Sequence, residues 1–189
     1  MNVFIDIGAW DGTSAEFFLR THPQARSFNI YSFECDKRNI QTIIKKRLPV
    51  FLIEGAAWVK NGIAKYYYGN DDGGTLYKSK KTGNINPNNF YEVPCFDIAE
   101  FIKTKFIKTD NIIIKLNCEG AEYGIIPHLK KAGLIDWIDK WFVQWHYRKI
   151  GMTEADHNNV VKMIPGFCEW NCQCLEQEFK PIFLDYVLR

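Results

Sequence analysis

The stretch that decides the fold is VFIDIGAWDGTSAEFF, which runs from Val3 to Phe18. Residues 3–7 form a short apolar run that predicts a buried strand, and residues 13–21 have a helix-like apolar face. Gly8 follows the strand closely, and a residue without a Cβ lets the backbone turn sharply and lets a ligand approach the main chain. The stretch therefore predicts a strand–turn–helix unit, which is either the start of a ligand site or an ordinary turn of this kind.

Strand and helix signals alternate along the rest of the chain. Further strands are predicted at 29–33, 50–54, 111–116, 140–145, 167–174 and 182–188, the last two as a terminal antiparallel hairpin. Further helices are predicted at 36–47, 97–107, 121–132 and 153–164. Two extended segments, 64–68 and 92–95, flank a long polar loop at 70–89.

This alternation favours an α/β fold. We expect one domain over residues 1–189, with a Rossmann-like, doubly wound, seven-stranded and mostly parallel sheet that has one antiparallel strand and helices on both faces. Asp97 and Thr153 have the residue types that cap helix N-termini, and Gly133 is placed to end the helix at 121–132. Ligands of such sheets bind beyond the carboxyl ends of the strands.

The composition argues against several classes of protein. The formal net charge is only +2, so no bulk charge attracts nucleic acid or an anionic membrane. No apolar run reaches the roughly 18 residues of a membrane span, and the start lacks the features of a signal peptide. We therefore expect a soluble, cytoplasmic protein with reduced cysteines. Cys168, Cys172 and Cys174 do not follow a standard zinc spacing.

An acidic residue lies at a distance from the glycine turn that suits a nucleoside. Glu34 ends the second strand, where a carboxylate can accept hydrogen bonds from both ribose hydroxyls. The turn reads G-x-x-x-G and not the G-x-G-x-x-G of dinucleotide sites, and Asp11 would repel a pyrophosphate but suits an ammonium group. No P-loop motif occurs. A ligand with adenosine at one end and an amino acid at the other, S-adenosylmethionine, fits best.

The turn carries further polar groups. The N–H groups after Gly12, together with the hydroxyls of Thr13 and Ser14, can hold a small anion at the helix N-terminus. Asp6 can accept hydrogen bonds from the N–H groups of the loop, or bind a cationic amine.

Several motifs resemble a known enzyme family. FIDIGAWDG and FECD resemble the first two motifs of class I S-adenosylmethionine-dependent methyltransferases. IIIKLNCEGAEYGIIPHLKKAG resembles the K-[IL]-D-x-E-G-x-E segment of the FkbM-type methyltransferases, and EGAAW and VPCFDIAEFI are similar to that family too. The resemblance covers residues 2–147. It implies S-adenosylmethionine as cofactor, strand order 3-2-1-4-5-7-6, and O-methylation of a sugar or glycan hydroxyl.

The predicted cofactor-binding residues follow the ends of the strands and are Asp6, Gly8, Ala9, Asp11, Gly12, Thr13, Ser14, Glu34, Cys35, Ala56, Ala57 and Asn117. One of them departs from the family. Asn117 stands where the family usually has Asp, and an amide is a poorer metal ligand than a carboxylate and no base.

Methylation of a hydroxyl needs a group that removes its proton. His146 ends a predicted strand at the same edge as Asn117, so it is the first candidate for the base, with a packing histidine as the alternative. Glu119 is expected to bind the acceptor, act as base or ligate a metal, and Glu122 to cap the following helix. The resemblance implies that Lys115 is functional, satisfied by Glu119 or a substrate oxygen. The alternative is a lysine that snorkels outward.

A divalent cation such as Mg²⁺ would lower the pKa of the acceptor hydroxyl, and its candidate ligands are Glu119, Asn117 and His146, with Asp72. The predicted substrate-binding residues are Asp72, Thr75, Tyr77, Trp145 and Tyr147. Trp10 offers a further flat face for a sugar ring, although core packing is equally compatible with the aromatic residues. The lysines at 78, 80 and 81 are expected to form a solvated face of the loop.

Other functions stay open at this point. One is methylation of another small-molecule or lipid hydroxyl, and another is a non-catalytic S-adenosylmethionine-binding module in a larger glycan-modifying protein. A nucleic-acid methyltransferase is disfavoured because the chain lacks a basic stripe and an Asn-Pro-Pro-Tyr-like stacking motif. We therefore expect a sugar or glycan as the partner, and neither nucleic acid nor a membrane.

Overall fold

Six strands form the central sheet of the computed structural model, which describes residues 1–69 and 73–170. The strands of these residues are β1 (Asn2–Ile7), β2 (Phe28–Glu34), β3 (Phe51–Glu54), β4 (Ala56–Trp58), β5 (Gly62–Tyr67), β6 (Phe90–Asp97), β7 (Asn111–Leu116), β8 (Lys140–Val143) and β9 (Cys168–Glu169). The helices are α1 (Thr13–Thr21), α2 (Lys37–Lys46), α3 (Ile98–Lys105), α4 (Glu122–Lys131), α5 (Tyr147–Ile150) and α6 (Glu154–Val161).

The central sheet has the order β3-β2-β1-β7-β8-β9, and every neighbouring pair is parallel. Its first five positions correspond to the predicted order 3-2-1-4-5. β1 lies in the middle because both of its edges are paired: Phe4 is opposite Ile30 of β2 and Ile113 of β7. The α/β class and the mostly parallel sheet are thus confirmed.

β1 is buried on both faces. Val3 and Ile5 belong to a cluster with the apolar residues of α3 and α4, whereas Phe4 belongs to a second cluster with α1 and stacks on Phe18 at 4.1 Å between ring centroids. Successive side chains of a strand point to opposite faces, so a continuous apolar run requires helices on both sides. This confirms the expectation of helices on both faces.

The predicted capping residues of the helices are also confirmed. Asp97 accepts hydrogen bonds from two backbone N–H groups in the first turn of α3, and Thr153 forms a reciprocal capping box with Asp156. Gly133 follows α4 with a φ of +73°, a left-handed conformation that glycine adopts without a steric penalty. No helix within residues 1–69 and 73–170 has the length and apolar character needed to cross a bilayer.

The outer edge of the sheet differs from the prediction. The order 3-2-1-4-5-7-6 requires an antiparallel strand beside the fifth strand, but β9 pairs with β8 directly and in parallel. β8 has one edge left after pairing with β7, and Cys168 and Glu169 occupy it. The seventh strand and its antiparallel direction are not confirmed, since residues 171–189, which include the predicted strand at 182–188, lie outside the described residues.

A second, three-stranded sheet was not predicted. β6 pairs in parallel with β4 and antiparallel with β5, so the antiparallel pairing of the described residues occurs here and not in the central sheet. The segments that form β5 and β6 were recognised as extended, but residues 68–89 separate these two strands in the sequence. No two-residue hairpin turn joins them, so nothing local in the sequence signals that they pair.

Candidate functional site

A cleft of about 240 Å³ lies at the carboxyl ends of β1, β2 and β7. The strand order reverses between β1 and β7, and ligands of doubly wound sheets bind at such a switch point. Half of the predicted cofactor-binding residues line the cleft, namely Gly8, Glu34, Cys35, Ala56, Ala57 and Asn117. The other half, Asp6, Ala9, Asp11, Gly12, Thr13 and Ser14, are not among its lining residues.

Gly8 brings two loops of the cleft into contact. Its φ is +76°, and a Cβ added to it would lie 2.0 Å from the backbone oxygen of Asn117. Its N–H donates to the carbonyl of Phe33 at 3.1 Å. Only a residue without a side chain permits this approach, so glycine at this position is required by both the conformation and the space.

Glu34 connects the loops that follow β1 and β2. Its Oε2 accepts a hydrogen bond from the N–H of Trp10 at 2.7 Å, and its Oε1 accepts from the N–H groups of Cys35 and Asp36 at 3.0 and 2.7 Å. Burial nevertheless raises its pKa to about 7, since these three bonds offset only part of the cost of desolvating the carboxylate. A carboxylate can accept about four hydrogen bonds, so Oε2 retains capacity for a ligand hydroxyl.

Trp10 and Asn117 present further groups to the cleft. The Trp10 side chain is 48% exposed although it lines the cleft, and its φ of +53° is uncommon for a residue with a side chain. The side-chain amide of Asn117 forms no hydrogen bond with the described residues. Both groups are therefore available to a ligand.

The two hydroxyls that were predicted to hold an anion at the start of α1 donate to carboxylates. Thr13 donates from both its N–H and its hydroxyl to Asp11, and Lys46 forms an ion pair with the same carboxylate at 3.2 Å. Although burial opposes it, these hydrogen bonds and the ammonium group lower the pKa of Asp11. The hydroxyl of Ser14 donates to Asp6 at 2.6 Å. Thr13 and Lys46 already engage Asp11, and an anion bound here would meet the negative charge of Asp11.

The sequence suggests that Lys115 either points outward or pairs with Glu119 or a substrate oxygen. The structure shows instead that Lys115 is buried and pairs with Asp6. Its side chain is 2% exposed, and its Nζ lies 2.9 Å from Oδ1 of Asp6 and donates to the backbone carbonyl of Gly8 at 2.6 Å. Its neighbour in the sheet register, Asp6, is completely buried because β1 is covered on both faces. Lys115 does not line the cleft, so it cannot reach a bound substrate directly.

Glu119 lies at the cleft but is held by cations. Lys80 and Lys149 contact its carboxylate at 2.7 and 3.0 Å, and the Nε2 of His146 lies 3.4 Å away. Burial alone would raise the pKa of Glu119, but these neighbours outweigh it and lower the pKa below its ordinary value. Glu119 is therefore an anion with little tendency to accept a proton near neutral pH.

His146 is buried between two carboxylates and does not line the cleft. Its Nδ1 lies 3.0 Å from Glu122 and its Nε2 faces Glu119. A general base needs a ring nitrogen that faces the acceptor, and both nitrogens of His146 face other groups. Glu122 accepts hydrogen bonds from the N–H groups of Cys118 and Gly120, which agrees with its expected role at the start of α4.

The predicted substrate-binding residues do not come together. Thr75 lines the cleft, but its hydroxyl donates to the backbone oxygen of Glu119. Tyr77 packs against Trp58, and burial raises its pKa to about 12. Trp145 and Tyr147 pack around His157, with ring centroids 5.2 and 4.4 Å from it. Trp145 and Tyr147 lie beyond the end of β8, which stops at Val143. Neither of them lines the cleft, and nor does Tyr77. Asp72 lies outside the described residues.

The described residues contain no group of three His, Cys, Asp or Glu side chains arranged to hold a metal ion. Two of the candidate ligands, Glu119 and His146, contact each other, but the carboxylate of Glu119 also contacts Lys80 and Lys149. Ammonium groups at these distances compete with a cation for the same oxygens. This arrangement favours an ion-pair cluster over a magnesium site.

Residues 73–81, called the strap below, cover one side of the cleft. Gly73, Gly74, Thr75 and Leu76 line it. Lys80 was expected to be solvated with its neighbours, but it is 5% exposed and contacts both Glu119 and the carbonyl of Gly73. Lys80 lies in a polar loop, and nothing in the local sequence indicates that it is buried. Its partner Glu119 is distant in sequence.

Replacing Lys80 with methionine is expected to loosen the strap. The variant leaves Glu119 with one ammonium partner, so we expect a loss of about 2 kcal/mol in the free energy of unfolding, since breaking a buried ion pair costs roughly 3–5 kcal/mol and Lys149 compensates part of it. Thermolysin, which cleaves beside apolar residues, should cut the strap at Leu76 faster. The matched control is Lys81→Met, because the Lys81 side chain is exposed. Equal stability and cleavage in the two variants would contradict the role of Lys80.

Sequence reasoning missed several residues of the cleft. Asn39 lines it from the first turn of α2, and Tyr66 lines it from β5. A Cβ on Gly74 would lie 2.1 Å from the hydroxyl oxygen of Tyr66, so the strap and β5 are in close contact. The position of Tyr66 follows from the second sheet, for which the sequence contained no signal beyond two extended segments, whereas Asn39 lies in α2, a helix that was predicted.

Comparison with known proteins adds no relative. No family model, no curated protein and no solved structure matches this chain significantly. The resemblance to the FkbM-type methyltransferases therefore stays a prediction, and the function has to be argued from the geometry of the cleft.

Proposed function

We propose that this protein is an S-adenosylmethionine-dependent O-methyltransferase that acts on a hydroxyl of a sugar or glycan. The observation that carries the proposal is the pair Glu34 and Gly8, which line one cleft at the point where the strand order reverses. In doubly wound sheets a nucleoside binds there, and an acidic residue at the end of the second strand accepts the ribose hydroxyls.

The chemistry of the lining residues suits the adenosine half of the cofactor. Glu34 has an acceptor position left, and Phe33, Ala56 and Ala57 offer apolar walls for an adenine ring. For the amino-acid half, the amide of Asn117 is the available polar group, because Asp11 is engaged at the start of α1. When bound, the cofactor supplies the electrophilic methyl group. The contribution of this chain is to hold the cofactor and to orient an acceptor beside it.

A second candidate is a module that binds S-adenosylmethionine without turning it over. It is favoured by the state of the predicted base and its neighbour: His146 is held between two carboxylates, and Glu119 is held by two lysines. Neither group is arranged to take a proton from an acceptor hydroxyl. The two candidates share the cofactor and differ in turnover.

Calorimetric titration tests the cofactor. We expect micromolar binding of S-adenosylmethionine and of S-adenosylhomocysteine, and no binding of NAD at millimolar concentration. Lack of S-adenosylmethionine binding at millimolar concentration, by protein that still unfolds cooperatively on heating, would contradict both candidates.

A transfer assay then separates the two candidates. Radiolabelled S-adenosylmethionine is incubated with sets of mono- and oligosaccharides and, as a comparison, with lipid and small-molecule alcohols. Label in a saccharide supports the proposal, and label only in the other acceptors assigns a different substrate class. Tight cofactor binding with no labelled acceptor favours the non-catalytic module.

Trp10→Ala is expected to weaken cofactor binding without unfolding the protein. The indole is about half exposed at the cleft, and an aromatic contact contributes about 0.5–1.5 kcal/mol beyond area burial, so the dissociation constant should rise roughly threefold to tenfold by calorimetry. Phe51→Ala is the control, because Phe51 is 56% exposed and does not line the cleft. Unchanged affinity in Trp10→Ala would show that the ring does not contact the ligand.

A further inference from the structure

Two opposite charges are buried together beneath the cleft. The Nζ of Lys115 lies 2.9 Å from Oδ1 of Asp6, and their side chains are 2% and 0% exposed. The hydroxyl of Ser14 donates to the other carboxylate oxygen at 2.6 Å, and the ring of Trp170 lies 5.4 Å from Nζ. The pair is therefore closed off from solvent by α1 on one side and by the residue after β9 on the other.

Stability alone does not account for this pair. Removing two charges from water is costly, and apolar residues of similar volume are often as stabilising as a buried ion pair. The side chains that precede the pair on the same face of the sheet are apolar: Phe4 of β1 and Ile113 of β7 lie opposite each other and belong to the cluster that packs against α1. An apolar pair would continue this pattern, so the charges point to a separate role.

A further contact of the Lys115 ammonium group indicates what this role is. Lys115 donates to the backbone carbonyl of Gly8 at 2.6 Å. Gly8 lines the cleft with a φ of +76°, in a loop whose next residue also bonds to the carbonyl of Phe33. A charge-assisted hydrogen bond is stronger than a neutral one and is short, so it sets the direction of the Gly8 carbonyl and with it the plane of the following peptide.

We propose that Lys115 is a positioning residue that holds the Gly8 turn in the conformation that accepts the cofactor, and that Asp6 keeps the ammonium group buried and aimed at the Gly8 carbonyl. Lys115 does not line the cleft, so it acts through Gly8 and touches neither cofactor nor acceptor. The inference rests on the proposed function where it concerns cofactor affinity. Its structural part, the order of the Gly8 turn, is independent of that function.

The decisive variant removes both charges. In Asp6→Asn/Lys115→Met neither charge is left unpaired, so we expect a melting temperature within a few degrees of the wild type. Without the donor to Gly8, the dissociation constant for S-adenosylmethionine should rise at least tenfold in calorimetric titration. In ligand-free protein, the amide protons of peptides that cover residues 8–14 should exchange at least tenfold faster by mass spectrometry. Restoration of most of the affinity by Asp6→Asn/Lys115→Gln, whose amide is a neutral donor, would support the positioning role.

A matched control separates positioning from stability. Ile112→Val lowers packing in β7 at a completely buried position away from the turn, and it should lower the melting temperature slightly while leaving both the affinity and the exchange of residues 8–14 unchanged. Wild-type affinity together with wild-type exchange in the double variant would overturn the proposal.

If the double variant does not fold, Asp6→Asn/Lys115→Gln decides, because it also leaves no unpaired charge and its amide at position 115 keeps a donor for the Gly8 carbonyl. Its affinity and the exchange of residues 8–14 should both stay within about threefold of the wild type. A tenfold loss of affinity together with wild-type exchange would overturn the proposal, because the order of the Gly8 turn would then not control the site. Failure of the wild type to bind S-adenosylmethionine would instead refute the proposed function, and hydrogen exchange would still decide the role of Lys115.

Discussion

Gly8→Ala is expected to lower the free energy of unfolding by at least about 3 kcal/mol and to abolish measurable cofactor binding. Two costs add up. An alanine with positive φ costs roughly 1–2 kcal/mol, and the new Cβ would lie 2.0 Å from the backbone oxygen of Asn117. The obstacle is main chain, which cannot rotate away as a side chain can, so the loops after β1 and β7 must separate. Urea denaturation measures the first effect and calorimetric titration the second.

The chain contains a matched control for the conformational cost. Gly133 has a φ of +73°, close to the +76° of Gly8, but a Cβ added to it would meet no atom within 4 Å. Gly133→Ala should therefore cost only about 1–2 kcal/mol and leave binding unchanged. The difference between the two variants isolates the contact with Asn117. Equal destabilisation would mean that the two loops can separate at no cost, which would contradict the geometry of the cleft.

Glu34 is expected to make both stability and ligand binding depend on pH. Burial raises its pKa from 4.5 to about 7 in the folded protein. Between these two values the folded protein holds a proton that the unfolded chain has released, so the contribution of Glu34 to stability is present below about pH 4.5 and is lost as the pH rises to 7. At about 1.36 kcal/mol per pKa unit, the loss amounts to roughly 3 kcal/mol.

The measurement is a comparison with Glu34→Gln, which cannot titrate. The stability of the wild type relative to Glu34→Gln should fall between pH 4.5 and 7.5 and stay level above it. Glu54→Gln is the control, because Glu54 lies opposite Glu34 in the neighbouring strand but is exposed. A pH-independent difference between the wild type and Glu34→Gln would show that the carboxyl is ionised throughout this range.

The same titration should appear in binding. Hydrogen bonds to an ionised acceptor are roughly twice as strong as neutral ones, so affinity for adenosine, which does not titrate between pH 6 and 8, should rise severalfold over that range and then level off. Glu34→Gln should bind more weakly at pH 8 and show no pH dependence. In this variant an amide N–H replaces the oxygen that accepts from Trp10, which should cost about 1–3 kcal/mol of stability. Unchanged binding by this variant would exclude Glu34 from the ligand site.

The sequence alone determined the central part of this fold. A strand buried on both faces is apolar at nearly every position, so the runs at β1, β2 and β7 were readable, and the caps Asp97 and Thr153 marked where helices begin. Since the carboxyl ends of adjacent parallel strands share one edge, the sequence also indicated that Gly8, Glu34 and Asn117 would line one cleft. These inferences need only local periodicity and the topology that follows from it.

Tertiary structure decided which charged groups face each other. Lys115 was recognised as an unusual residue in an apolar strand, but its pairing with Asp6 depends on the register between β1 and β7. A shift of this register by one residue would place the two side chains on opposite faces of the sheet. The burial of Lys80 and the enclosure of His146 between Glu119 and Glu122 depend on loops that meet only in the folded chain. Periodicity specifies which face of an element is buried, whereas the partner of a polar side chain is set by contacts between residues far apart in sequence.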